Sequence, residues 1–181
     1  MKQLVLLLLT FFGYSTANSQ CDFEVNKVDE FTKQRIMLTE KVKIVNPTGK
    51  YPVVLMALGR VDTSKSVVIT MYHKVSICCN SDSKLLLLMD DESIFDLPTD
   101  SDRVDCSSVE IVMGMTLYKI TRAFSVTQAQ LTLLGQKGLS RLRLESSSGL
   151  VDAVVDKKNV NKGKGVNFFK NWAHCVSSIK Q

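Results

Sequence analysis

The chain has 181 residues, 45% of them hydrophobic, and a formal net charge of +5. Without Lys2, which belongs to the N-terminal segment described next, there are 22 basic and 18 acidic residues. That excess is too small to indicate a nucleic-acid partner, and the remaining length is usual for one domain with a full core.

The first residues, MKQLVLLLLTFFGYSTANSQ, are typical of a secretory signal peptide. A lysine precedes the apolar run Leu4–Phe12, and Ala17 ends a stretch of small residues suited to cleavage. The run is shorter than the ~20 residues that span a bilayer. We therefore predict a signal peptide at 1–17, with cleavage possible up to residue 20, a single compact domain at 18–181, and no transmembrane span after cleavage.

Export would bring the chain to the periplasm or to the outside of the cell. Cys21 follows the cleavage region, which raises the alternative of an outer-membrane lipoprotein. A lipidated cysteine normally follows a small residue and has a large aliphatic residue three positions before it, whereas Gln20 and Asn18 occupy those positions here. The sequence therefore favours ordinary cleavage over lipidation.

Most of the mature chain is predicted to form β-strands, because it is rich in β-branched residues and in short apolar runs bounded by turn residues. In chain order the segments are RIMLT, VKIV, PVVLMALGRV, SVVITMYHKVSICC, KLLLLM, SIFDL and SVEIVMGMTLYKI. KLLLLM is continuously apolar, which indicates an inner strand or one covered on both faces. The last segment alternates apolar and other residues from Val109 to Leu117, which predicts one strand with an apolar face.

The end of the chain has different patterns. Ser125 and Gln128 have the spacing of a capping box, which predicts a short helix that stops at Gly135 or Gly138. LSRLRLES and LVDAVVD flank a Ser-Ser-Ser-Gly turn and predict a hairpin. From residue 165 to 180, an apolar stripe at helical spacing predicts a C-terminal helix that packs on the sheet.

These elements favour the α+β class: a mainly antiparallel sheet of about seven to nine strands, with a short helix and a C-terminal helix packed on it. The alternative is a lipocalin-like β-barrel, because a meander of strands with a late helix can also close.

Four segments resemble a family of small secreted bacterial proteins of unassigned function. They are CDFEVNKVDEFTKQRIMLT, AFSVTQAQLTLL, LSRLRLESSSG and FFKNWAHC. The resemblance spans nearly the whole mature chain and implies secretion and one compact domain, but no catalytic residues. Where the family usually has Gly after an Asp-x-Phe-Thr turn, this chain has Lys33.

Five cysteines in an exported chain predict disulfide bonds and at least one unpaired cysteine. A bond between Cys21 and Cys175 would tie the two ends of the domain together. We expect Cys106 to pair with Cys79, with Cys78 as the alternative, because neighbouring strand residues point to opposite faces and cannot share one role.

Other cysteine chemistry is not indicated. The adjacent cysteines lack the C-x₂₋₄-C spacing of zinc sites and the Cys-x-x-Cys of redox centres, so no metal site and no cofactor is predicted. His174 precedes Cys175, but adjacent helix residues point about 100° apart, which disfavours a Cys–His nucleophile.

Two charged segments suggest ion binding. Seven acids and one base lie between residues 90 and 105, and Asp100, Asp102 and Asp105 form a possible cation site, although they do not match a calcium-binding loop. Lys162 and Lys164 precede the C-terminal helix and form a possible anion site.

The sequence contains no convergent set of acid, base and nucleophile, so no catalytic residue is assigned and a non-enzymatic role is favoured. We expect an exported binding or envelope-associated module for an unknown protein, glycan or envelope component. The alternatives are a small hydrolase or calcium-dependent enzyme that uses the acidic 90–105 segment, or a carrier of apolar ligands if the sheet encloses a cavity.

Overall fold

A computed structural model describes residues 21–45, 51–155 and 164–177. The predicted α+β class is confirmed, since most described residues lie in antiparallel strands and two helices accompany them. The predicted signal peptide and Lys162 lie outside the described residues. None of the described helices has the length and apolar character needed to cross a membrane.

The described residues form more strands than the seven to nine predicted, because two predicted segments are each divided in two and because strands also form at Phe23–Val28 and Asp105–Cys106. The strands are β1 (Phe23–Val28), β2 (Arg35–Thr39), β3 (Val42–Val45), β4 (Val53–Val61), β5 (Ser64–His73), β6 (Cys78–Cys79), β7 (Lys84–Met89), β8 (Ile94–Pro98), β9 (Asp105–Cys106), β10 (Ser108–Val112), β11 (Met115–Ser125), β12 (Leu139–Ser146) and β13 (Gly149–Val154). The helices are α1 (Gln128–Leu134) and α2 (Phe168–Ser177).

The larger sheet has seven strands in the order β1-β2-β4-β5-β11-β10, with β3 also paired to β4. It curls part of the way round but ends at β1 on one side and β10 on the other. The alternative of a closed lipocalin-like barrel is therefore wrong, because these two edge strands do not pair with each other.

The smaller sheet has four strands in the order β13-β12-β7-β8. Its inner strand β7 buries Leu85, Leu87 and Met89, while Leu86 and Leu88 point to the opposite face and are only half-buried. This alternation follows from the two-residue period of a strand. KLLLLM is thus an inner strand, as predicted, with one face turned towards the outside.

A single apolar core joins both sheets and both helices. Met56 and Met71 of the larger sheet and Leu87 of the smaller one are fully buried in it. The helix α2 contributes Phe168 and Phe169, which meet edge to face with ring centroids 5.0 Å apart. The predicted apolar stripe therefore covers the sheet, and α2 contacts α1, β2 and β4.

The short helix begins two residues later than predicted. Its N-cap is Thr127, whose hydroxyl accepts the Gln130 N–H while the Gln130 side chain accepts the Thr127 N–H. Ser125 is still part of β11 and pairs with Ser66 of β5, so it cannot cap the helix. The helix ends at Gly135, one of the two glycines predicted to stop it.

The segment SVEIVMGMTLYKI is a hairpin and not one strand. Met113 and Gly114 have φ of +50° and +75°, which are the left-handed values of a two-residue hairpin turn. They reverse the chain so that Val112 pairs with Met115. The apolar alternation from Val109 to Leu117 therefore crosses a turn, and most of it is exposed to solvent.

The Asp-x-Phe-Thr segment forms the predicted turn between β1 and β2. The Asp29 carboxylate accepts hydrogen bonds from the backbone N–H groups of Thr32, at 2.7 Å, and Phe31, at 3.0 Å. These bonds, with those of Thr32 foremost, hold the Asp29 pKa below its usual value. Lys33 has φ of +60°, so the position where the resembled family has Gly takes the conformation that glycine adopts most readily.

Candidate binding surface

The structure contains two disulfide bonds among the described residues. Cys21 is bonded to Cys175, with an S–S distance of 2.09 Å, as expected from the sequence. This bond attaches Cys21, two residues before β1, to α2. Disulfides of this kind are typical of oxidising compartments.

The second bond corrects the expected pairing, since Cys106 is bonded to Cys78 and not to Cys79. β6 and β9 pair so that Cys78 lies opposite Cys106, with 4.0 Å between their Cα atoms, whereas Cys79 lies opposite Asp105. The Cys79 side chain points to the other face and is fully buried in the core. Burial raises the pKa of the Cys79 thiol, so it serves as a small apolar residue.

His174 lies closer to the first disulfide than the sequence suggested. Its Nε2 atom is 3.5 Å from the Sγ atoms of both Cys21 and Cys175. These three side chains are the only described group of three potential metal ligands within 4.8 Å of one another. Because both sulfurs are consumed by the disulfide, neither is a thiolate, and the oxidised protein has neither a Cys–His nucleophile nor a sulfur ligand set here.

The acidic segment does not gather its carboxylates. Asp91 pairs with Lys137 at 2.7 Å and accepts a hydrogen bond from Ser93, and these contacts lower the pKa of Asp91 to about 2. Asp90 accepts the backbone N–H of Gly138 at 3.0 Å. A Cβ at Gly138 would lie 2.5 Å from Asp90 Oδ2, so a larger residue there would displace the Asp90 carboxylate. Asp90 and Asp91 therefore each have a structural contact of their own.

The possible cation site at Asp100, Asp102 and Asp105 is likewise not assembled. The carboxylate oxygens of these three described residues do not all lie within 4.8 Å of one another. Asp105 is bound instead to Arg122. Arg122 is only 4% exposed, and its guanidinium also donates to the hydroxyl of Thr99 and to the backbone carbonyls of residues 101 and 103. Buried Arg122 thus holds the 99–105 loop in place. Its ion pair occupies Asp105, one of the three residues of the predicted cation site.

The possible anion site is only partly described. Lys164 is exposed in the turn that leads into α2, and Lys162 lies outside the described residues. The anion site at these two lysines stays a prediction.

The outer face of the four-stranded sheet carries an arrangement that the sequence did not reveal. Three rows of side chains cross the strands in the order β13, β12, β7 and β8. The rows are Val154, Arg141, Leu88 and Ile94; then Asp152, Arg143, Leu86 and Asp96; then Leu150, Glu145, Lys84 and Pro98. We call the first the Arg141 row.

The two arginines of β12 have different neighbours because of the strand register. Arg143 lies opposite Asp152 and forms a two-pronged ion pair with it, at 2.7 and 2.9 Å. This pair lowers the pKa of Asp152 and raises that of Arg143. Arg141 lies between Val154 and Leu88, and no hydrogen bond or ion pair holds its guanidinium within the described parts of the chain.

A shallow cleft of about 160 Å³ lies on this face. Its lining includes Leu86, Leu88, Ile94, Arg141 and Asp152. In LSRLRLES, Leu142 and Leu144 alternate with Arg141 and Arg143, which is the pattern of a half-exposed strand. The sequence could not show which residues on β7, β8 and β13 flank them, because that depends on the register of three strand pairs.

Comparison with known proteins gives no relative. The chain matches no protein-family model, no curated protein and no solved structure.

Proposed function

We propose that this chain is an exported binding module that recognises its partner through the Arg141 row. The observation that carries the proposal is an exposed guanidinium that no hydrogen bond or ion pair holds among the described residues, set between aliphatic side chains on a sheet face. A guanidinium binds carboxylate and phosphate groups with two parallel hydrogen bonds. The neighbouring Leu88, Ile94 and Val154 offer apolar contact beside it.

The chemistry of the row favours a ligand in which an anionic group lies next to an apolar one. The cleft is smaller than the ~300–1,000 Å³ of enclosed small-molecule sites. It would take one group of a larger partner, such as a protein, a glycan with an acyl chain, or another envelope component. Export is supported by the signal-like N-terminus and by the two disulfides.

The other candidate functions have less support. In the acidic segment, Asp90, Asp91 and Asp105 each contact a different group, which does not favour a hydrolase or a calcium-dependent enzyme. A carrier of apolar ligands would need an empty interior, whereas Met56, Met71, Leu85, Leu87 and Phe124 fill the space between the sheets as fully buried side chains.

The proposal can be tested with small probes of defined chemistry. Hexyl phosphate, hexanoate and hexanol would be titrated into the isotope-labelled mature protein while backbone amide shifts are recorded. We expect the two anions to shift the amides of Leu88, Arg141 and Val154 at lower concentration than hexanol does, because only the anions can bind the guanidinium.

Arg141→Gln should weaken binding of hexyl phosphate by about tenfold, the loss of one charge-assisted contact. Arg103→Gln is the matched control, since it removes an exposed arginine from a different surface and should leave the affinity unchanged. Equal affinities in the parent and in Arg141→Gln would refute the proposed site.

A further inference from the structure

The strand β10 forms an open edge of the larger sheet. It pairs with β11 alone among the strands of the described chain. Its side chains Val109 and Ile111 are 60% and 79% exposed. Edge strands of this kind expose a row of backbone donors and acceptors that can pair with another strand.

The hairpin register identifies which backbone groups of β10 face outwards. The two-residue turn at Met113–Gly114 is closed by the pair Val112–Met115. Such turns are closed by a hydrogen-bonded pair, and bonded and non-bonded pairs then alternate along the hairpin. Glu110 therefore bonds to β11, while Val109 and Ile111 direct their N–H and C=O groups to the open edge.

Two of the other edge strands, β1 and β8, carry features that discourage pairing and that β10 lacks. β1 has a bulge between Phe23 and Val25 and carries an exposed Lys27. β8 ends in Pro98, which cannot donate to a ladder. β10 contains no proline, lysine or bulge, and bulges, lysines and prolines are the usual means of blocking an edge.

We propose that two copies of this chain associate through β10, antiparallel to each other about a two-fold axis at Glu110. In this register Val109 of each copy lies opposite Ile111 of the other. Both are outward-facing positions, so each of the two pairs exchanges two backbone hydrogen bonds. The larger sheets of the two copies would then form one continuous sheet.

The side chains of β10 favour a second copy of the chain as its partner. Glu110 has an aliphatic residue on each side, so a two-fold axis at Glu110 brings aliphatic side chains opposite each other. Val109 and Ile111 of both copies would form a cluster of aliphatic side chains on one face. Glu110 would face its equivalent, but each carboxylate is already paired with Lys119 at 2.8 Å. The two glutamates and two lysines at the interface together carry no net charge. The interface is of the self-complementary kind that two-fold dimers use.

Sedimentation velocity of the mature protein, with both disulfides intact, tests this inference. We expect a weight-average mass that rises from monomer towards dimer between about 10 μM and 1 mM, the range of weak, small interfaces. Ile111→Lys should raise the dissociation constant at least about tenfold, because it puts an unpaired charge in place of an aliphatic contact on the edge strand.

Val28→Lys is the matched control, because Val28 is 57% exposed on β1, the opposite edge of the same sheet. It should dimerise as the parent does. A parent that sediments as a monomer at every concentration, or an Ile111→Lys variant that dimerises as the parent does, overturns the proposal.

A cysteine variant tests the register without relying on a loss of association. Residue 110 of each copy would form a non-bonded pair with about 4.5 Å between Cα atoms, close enough for a disulfide. Glu110→Cys should therefore form a covalent dimer under mild oxidation, whereas Glu24→Cys on β1 should stay monomeric. Equal cross-linking of the two variants would contradict pairing through β10.

Discussion

The acidic segment from residue 90 to 105 and the outer face of the four-stranded sheet both carry charged side chains, but their charges have different surroundings. In the acidic segment, Asp91 is paired with Lys137, and Asp105 with the buried Arg122. On the sheet face, Arg143 is paired with Asp152, and Arg141 lies between aliphatic neighbours. The acids that stand out in the sequence thus stabilise the fold through ion pairs. The candidate binding site is formed instead by Arg141, which lies in an ordinary amphipathic strand.

The largest effect is expected from removing the structural arginine. Arg122→Ala should lower the free energy of unfolding by about 2–4 kcal/mol, because it leaves several hydrogen-bond acceptors of the 99–105 loop without their buried, charged donor. Urea unfolding of the purified variant would measure the change.

Arg122→Lys keeps the charge but loses the planar fork, and should fall between the parent and the alanine variant. If Arg122→Ala lowered the free energy of unfolding by less than about 1 kcal/mol, the Arg122–Asp105 pair would contribute no more than an exposed ion pair does. The proposed difference between the acidic segment and the sheet face would then be wrong.

A smaller effect is expected on the sheet face, where a paired arginine can be released. Asp152→Asn should cost only about 0.5 kcal/mol, because the pair with Arg143 is largely exposed to solvent. It should also strengthen binding of hexyl phosphate several-fold, since Arg143 then becomes a second available guanidinium beside Arg141. Thermal unfolding and the probe titration would be run on the same samples.

Asp96→Asn is the matched control for that variant. It removes the same charge from the same face but releases Lys84 in place of an arginine. Equal strengthening by both variants would mean that total charge, and not guanidinium geometry, controls binding.

The smallest effect concerns the pH dependence of Asp91. Its pKa in the folded state, about 2, lies below the ordinary value of 3.8. The ion pair with Lys137 therefore stabilises the fold above about pH 4, and that stabilisation is lost as the pH falls towards 2. The melting temperatures of the parent and of Asp91→Asn should differ near neutral pH and converge in this acidic window.

Asp102→Asn should melt as the parent does throughout that window, because Asp102 is exposed and forms no ion pair among the described residues. If its melting temperature converged with the parent's in the same way, the effect would reflect net charge and not the Lys137 contact.

Local patterns predicted the elements whose structure depends on neighbours in the sequence. The hairpin of β12 and β13, the inner position of β7 and the apolar stripe of α2 follow from periodicity and turn residues. The turn at Met113–Gly114 was missed, because the apolar alternation on its two sides happens to be continuous with a single strand.

Contacts between distant segments were beyond the reach of the sequence. Whether Cys78 or Cys79 meets Cys106 depends on the register of two short strands far apart in the chain. The partner of Asp105, 17 residues further on, and the aliphatic neighbours of Arg141 depend on sheet register in the same way. These long-range pairings decide which charges are neutralised, and so they decide where a binding site can form.

The bond between Cys21 and Cys175 makes the domain a covalent ring, in which 154 positions of sequence separate the joined residues. A single proteolytic cut at any peptide bond between them leaves the two pieces attached to each other. A nicked molecule would keep its mass on a non-reducing gel and separate into fragments only after reduction. A protein exposed to proteases outside the cell would thus keep its pieces together after a first cleavage.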